Sequence, residues 1–162
     1  MLAARGRLIA TLDGDGQNDP ADIPLVLDRY LALEKETSIG MVSGRRAKRQ
    51  DTWVKRYASK LGNNIRRSLL RDKATDTGCA LKVFARETYM RLPYFDHMHR
   101  YFSALMQREG FSMDFVDVNH RHRLHGHSNY GVFDRLWVSI RDIMGVMWLQ
   151  ARGRISKETK EI

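Results

Sequence analysis

Cysteine is almost absent. Cys79 is the only one in 162 residues, which excludes an internal disulfide and points to a reducing compartment. Long apolar runs are missing as well. No stretch reaches the ~20 apolar residues of a membrane-spanning helix, and Met1 to Leu12 lacks the apolar core of a signal peptide. Any meeting with a membrane is therefore expected to be peripheral, or through a segment outside this sequence. Acidic charge is in deficit: 19 Asp and Glu face 28 Lys and Arg, a formal charge of +9. That balance calls for a polyanionic partner such as phosphate groups, a membrane surface or nucleic acid. There is no internal repeat and no low-complexity segment. An apolar share of 43% can bury a core, so the chain reads as one folded domain or part of one.

What is present is concentrated first between Leu8 and Pro20. A short apolar strand over 7–12 ends in Asp13-Gly14-Asp15-Gly16-Gln17-Asn18-Asp19. Its continuous apolar character predicts a strand covered on both faces. Two carboxylates spaced i, i+2 at a strand's carboxyl end suit a hard divalent cation, which can in turn hold a diphosphate. An EF-hand is excluded, because Asn18 stands where that loop needs glycine and Pro24 where it needs glutamate. The plainer alternative is a solvated turn with Asp19 or Asp22 capping the next helix.

That helix starts at Pro20 to Asp22, with Ile23, Leu27, Tyr30 and Leu31 at helical spacing. Residues 38–42 read as a second strand closed by Ser43-Gly44, so a βαβ unit and a parallel sheet are expected. A basic helix follows, with Trp53, Tyr57, Leu61, Ile65 and Leu69 along one face. Between Gly44 and Lys73 stand eleven Lys or Arg and two Asp. The aromatics sit on the apolar face rather than among the cations, which suits core packing better than base stacking, and no nucleic-acid-binding motif is present. Thr75 to Gly78 is a turn in which Asp76 is a capping residue or a site residue. A strand over 79–84, helices over 86–92 and 98–108 (the latter stopped by Gly110), and a strand over 113–122 follow. His120, His122, His125 and His127 invite a zinc reading, but no Cys or paired acid completes the set. The long helix over 132–149 carries Phe133, Trp137, Ile140, Met144 and Trp148. That stripe suits a packed core, or, with Arg135, Arg141 and Arg152, a membrane interface.

Taken in order, these motifs resemble the family 2 glycosyltransferases of the GT-A fold, in the dolichyl-phosphate mannosyltransferase-like branch. The resemblance rests on Asp13-x-Asp15-x-Gln17-x-x-Pro20, then Val42-Ser43-Gly44-Arg45-Arg46, then Lys55, Arg56, Ser59 and Asn63. It continues through Asp76-Thr77-Gly78-Cys79-Ala80-Leu81-Lys82 and His120-Arg121-x-Arg123-x-x-Gly126-x-Ser128-Asn129-Tyr130-Gly131. It implies an α/β fold, a partial GT-A with a mixed, mostly parallel sheet flanked by helices. Residues 1–131 would be the C-terminal part of that domain, 132–152 an amphipathic helix at the membrane interface and 153–162 a polar tail.

The resemblance further implies a metal-dependent, inverting enzyme moving mannose or a similar hexose from a GDP- or UDP-sugar to a polyprenyl or dolichyl phosphate. Asp13, Asp15 and Gln17 would hold Mg²⁺ or Mn²⁺, with Asp15 and Asp76 at the reacting centre. Arg45, Lys55, Arg56, Ser59, Arg121, Arg123 and Ser128 would bind diphosphate or lipid phosphate. Asn129 stands where the family often has lysine. The nucleoside-binding βα units that precede this point in the family, roughly 80–100 residues, are absent, so the chain alone is expected to bind nucleotide sugar poorly. A second copy or a partner subunit would supply that half. The expected location is cytoplasmic, peripheral on the membrane's cytoplasmic face. The rival readings are a non-catalytic basic module that binds membrane or nucleic acid, and a truncated, inactive transferase.

Overall fold

A computed structural model of the chain describes residues 3–46, 64–72, 74–119, 121 and 132–153, with only the helical course given over 132–137. Four strands form one sheet in the order β1-β3-β2-β4: β1 Leu8–Thr11, β2 Ile39–Arg46, β3 Lys82–Ala85 and β4 Ser112–Val118. β2 and β4 pair in parallel, and β3 runs antiparallel to both its neighbours. Three strands therefore share one direction. The expected β1-helix-β2 unit does place β1 and β2 parallel, but β3 is inserted between them.

Helix α1, Ile23–Glu34, packs Val26 and Tyr30 on one sheet face against Ile39, Val42, Leu81, Val83 and Val118. The other face is covered by α4, Phe102–Arg108, and by Val146 of α5, Val132–Arg152, over Met41 and Phe84. Phe84, Tyr89 and Phe102 form a three-ring contact with centroids 5.6 and 5.8 Å apart. Tyr89 lies on the short helix α3, Arg86–Met90. A 3₁₀ turn at Met98–Tyr101 leads into α4, entered through His97 at φ 63°. Gly110 at φ 84° follows the helix, a left-handed backbone that glycine adopts without strain.

Several sequence expectations are corrected. β1 is not covered on both faces: Leu8, Ile9 and Thr11 are half-buried and Ala10 is exposed, because β1 is an edge strand. The doubly covered strand is β2, buried from Ile39 to Gly44, and it continues through Ser43-Gly44 to Arg46 because β4 pairs alongside it. Of the basic helix, the described part, α2, covers 64–70. It turns Arg66 and Leu70 inward and leaves Ile65 and Leu69 exposed, the reverse of the predicted face. On α5, Ile143, Val146 and Leu149 meet the core, whereas Ile140, Met144 and Trp148 are exposed. Trp53, Tyr57, Leu61, the side chains of Phe133 and Trp137, and the four histidines from His120 to His127 lie outside the described residues.

Candidate functional site

The sheet delivers two turns to one end. The first is the acidic turn leaving β1. Asp13 is exposed, and Asp15 and Gln17 are half-buried. The Gln17 backbone N–H donates to Asp15 Oδ1 at 3.1 Å, and Gly16 takes φ 74°, so the turn closes on itself. Asp19 caps the following 3₁₀ turn through the Ala21 N–H, 3.1 Å from Oδ1. The buried Asp22 does not cap α1. It accepts from the backbone and side-chain nitrogens of Asn119 at 2.7 and 3.0 Å. Arg121 donates its N–H to the Gln17 carbonyl at 2.9 Å and pairs its guanidinium with Asp19. The chain beyond β4 is thereby tied across the acidic turn.

The second turn carries Asp76. Arg46, at the end of β2, grips this buried carboxylate with Nε and an Nη at 2.7 Å each and with its backbone N–H at 3.2 Å. The Gly78 N–H adds a fourth hydrogen bond at 3.0 Å. Burial pushes the Asp76 carboxyl up, but the Arg46 hydrogen bonds and charge, with the two backbone N–H groups, outweigh burial and hold it below the usual carboxylate range. The buried Cys79 thiol reaches Asn18 Oδ1 at 3.8 Å, so the Asp76 turn touches the acidic turn.

Two further groups enter the same space. Lys82, 7% exposed, lies within electrostatic reach of Asp13, Asp76 and Arg46. His99, on the Met98–Tyr101 turn, senses Asp13 and Lys82; burial, then Arg100, Lys82 and His97, push its pKa down.

Asp13, Asp15, Gln17, Asp76 and Arg121 are thus brought to one end of the sheet. Arg45 is exposed and paired with Asp117, its register partner on β4, at 2.5 Å. Lys55, Arg56, Ser59, Arg123 and Ser128 lie outside the described residues. Sequence reasoning missed Arg46, Lys82 and His99. Arg45 and Arg46 alternate across β2, so only a strand known to reach Arg46 could tell which one meets the Asp76 turn. Lys82 stood at the end of the Asp76-to-Lys82 motif and as a lone cation inside an apolar strand, but neither signal showed that it turns toward the site.

No three His, Cys, Asp or Glu side chains converge as a metal cage among the described residues. Two carboxylates and an amide on one turn do fit Mg²⁺ or Mn²⁺, because such ions take one or two protein carboxylates and complete their shell with water and phosphate oxygens. No helix among the described residues is long and apolar enough to cross a membrane.

No protein-family model matches the chain. It is 32% identical over 147 residues to dodecaprenyl-phosphate galacturonate synthase of Rhizobium johnstonii, covering 90% of this chain and 42% of that protein. It is 33% identical over 127 residues to undecaprenyl-phosphate 4-deoxy-4-formamido-L-arabinose transferase of Shewanella sediminis, covering 78% of this chain and 37% of that protein. The chain thus spans about two fifths of the length of these curated relatives. Among solved structures, glucosyl-3-phosphoglycerate synthase of Mycobacterium tuberculosis superposes with a TM-score of 0.58 over 95% of this chain and 53% of its own length, at 15% identity. That likeness is one of fold. With its acidic turn and Asp76 turn joined at the end of a GT-A-like sheet, the chain is homologous, over the segment it spans, to part of these family 2 glycosyltransferases.

Proposed function

We propose that this chain carries the diphosphate- and acceptor-facing half of an enzyme that moves a sugar from a nucleotide sugar to a polyprenyl phosphate with inversion. The observation that carries this reading is the junction of the acidic turn with the Arg46–Asp76 pair in a chain homologous to such transferases. Asp13, Asp15 and Gln17 would hold Mg²⁺ or Mn²⁺. When bound, the ion neutralises charge gathering on the departing nucleoside diphosphate.

An acceptor phosphate oxygen attacks the anomeric carbon, and the bond from that carbon to the diphosphate breaks, the electron pair leaving with the diphosphate. The acceptor is already ionised near neutral pH, so no strong base is required. Asp76 fits that chemistry as an orienting group: both its oxygens are engaged, and its basicity is lowered. It fixes Arg46, whose guanidinium stands at the site where Arg45 does not. Arg121 lies beside the acidic turn as a second phosphate donor. The first-named relative transfers galacturonate and the second a formamido-arabinose, so the sugar is taken to be a hexose or pentose derivative.

Exposed Ile140, Met144 and Trp148 on α5, beside exposed Arg141 and Arg152, suit a helix resting in the membrane interface on the cytoplasmic face, near the lipid phosphate. The test is sugar transfer from UDP- and GDP-sugars to polyprenyl phosphate in vesicles with Mg²⁺ or Mn²⁺, by this chain joined to a nucleoside-binding half. Asp13→Ala or Asp15→Ala is expected to abolish metal-dependent transfer. Vesicle binding that is salt-sensitive, indifferent to both substitutions and unaccompanied by transfer would establish a non-catalytic basic module instead.

A further inference from the structure

Three successive backbone carbonyls after the Asp76 turn are each held by a different strand. The Ala80 carbonyl accepts from Thr11 Oγ1 on β1 at 2.7 Å. The Leu81 carbonyl accepts from the Gly44 N–H on β2 at 2.8 Å. The Cys79 carbonyl accepts from the Lys82 ammonium, the one charged member of the set. In register, Lys82 stands between Thr11 of β1 and Ser43 of β2, on the sheet face of Phe84 and Met41.

No carboxylate pairs with Lys82 within 4 Å among the described residues; burial pushes its pKa down, while the charges of Asp76 and Asp13, within electrostatic reach, favour the ammonium. A buried ammonium with no ion partner is costly, and a methionine would fill similar space and pack as well. If bracing the turn were the whole task, the neutral hydroxyl of Thr11 shows that it can be done without charge.

Resting on the transferase reading, we propose that Lys82 is a positioning residue: it fastens the Asp76 turn beside Asp13 and holds a positive charge that no carboxylate contacts at the floor of the site, matched to a nucleoside diphosphate rather than to the metal ion alone. This charge opposes a lone cation at the acidic turn. It favours the same ion once that ion arrives with the negative charge of a diphosphate. Arg100 on the Met98–Tyr101 turn adds to the same field, which, after burial, holds the His99 pKa down.

The test compares the wild-type chain with Lys82→Met, which keeps length and loses charge, and Lys82→Arg, which keeps charge. Mn²⁺ binding alone is read by its spin-resonance signal, and UDP and GDP binding in saturating Mn²⁺ by calorimetry. Lys82→Met is expected to bind Mn²⁺ about threefold more tightly, because a charge of like sign is removed from the surroundings of the acidic turn. It is expected to bind the nucleoside diphosphate about tenfold less tightly, the loss of one interaction with a charged group. Lys82→Arg is expected to restore most of the diphosphate affinity.

Opposite shifts of the two affinities are the signature, since a purely structural role moves both down together. Parallel losses, or no change in either, overturn the proposal, and so does an Arg variant as impaired as the Met variant. A wild-type chain that binds no Mn²⁺ overturns both this proposal and the transferase reading. Opposite shifts in a protein that transfers no sugar to polyprenyl phosphate would leave the role of Lys82 standing and sink the transferase reading.

Discussion

Replacing Asp76 by asparagine strikes the junction on which the site depends. The substitution keeps the shape of the side chain, removes its charge and turns an amide NH₂ toward one arm of the Arg46 guanidinium. Arg46 then loses its bidentate ion pair with Asp76 in a largely water-excluded setting, its side chain 17% exposed against 8% for Asp76. Stripping one partner from a fully buried pair costs ~3–5 kcal/mol. Because Arg46 keeps some solvent contact, a loss of about 2–3 kcal/mol is expected. At about 3 °C per kcal/mol for a chain of 162 residues, Tm falls by roughly 6–9 °C.

The effect has a direction in pH. The folded-state pKa of Asp76 is lowered, so its contribution is complete above the ordinary carboxylate range and disappears as pH falls through the lowered folded-state value. Calorimetric melts of wild type and Asp76→Asn at pH 7 and at successively lower pH should therefore converge in acid. A cycle with Arg46→Met tests the pairing itself. A fall in Tm under about 3 °C at pH 7, a gap that persists in acid, or strictly additive effects of the two substitutions would refute the reasoning.

Two more expectations follow from neighbouring residues. A Cβ on Gly44 would lie 2.8 Å from both Cys79 Sγ and Val118 Cγ2, so Gly44→Ala should cost about 1–3 kcal/mol by overpacking, read as a lower urea midpoint; an unchanged midpoint contradicts it. Arg45→Ala breaks only an exposed pair with Asp117 and should change stability by less than ~1 kcal/mol, with diphosphate affinity retained. Arg46→Met should lower that affinity, and equal losses in both variants would reverse the assignment of the two arginines.

The acidic turn and the Asp76 turn were legible because each is a short chemical string whose meaning survives without its neighbours. Asp13, Asp15 and Gln17 follow an apolar strand, and Asp76-Thr77-Gly78 reads as a turn by composition. Faces and edges were harder. Ile65 and Leu69 look inward by spacing, yet α2 buries Arg66 and Leu70, because buried Asp72 holds the Arg66 guanidinium at 2.7 Å. On α5 the spacing of Ile140, Met144 and Trp148 marks a stripe, but periodicity does not say whether a stripe meets the core, and Ile143, Val146 and Leu149 do.

By itself, the sequence determined the α/β class, the direction shared by β1 and β2, the basic character and the residue types at the site, since these rest on local composition and period. Only the tertiary structure decided that β3 separates β1 from β2, that Arg46 rather than Arg45 meets Asp76, and that Lys82 lies buried against the Cys79 carbonyl. Each of those depends on which strand lies beside which. Strand order and register are set by long-range packing on both faces of the sheet, and residue spacing along the chain carries no record of that packing.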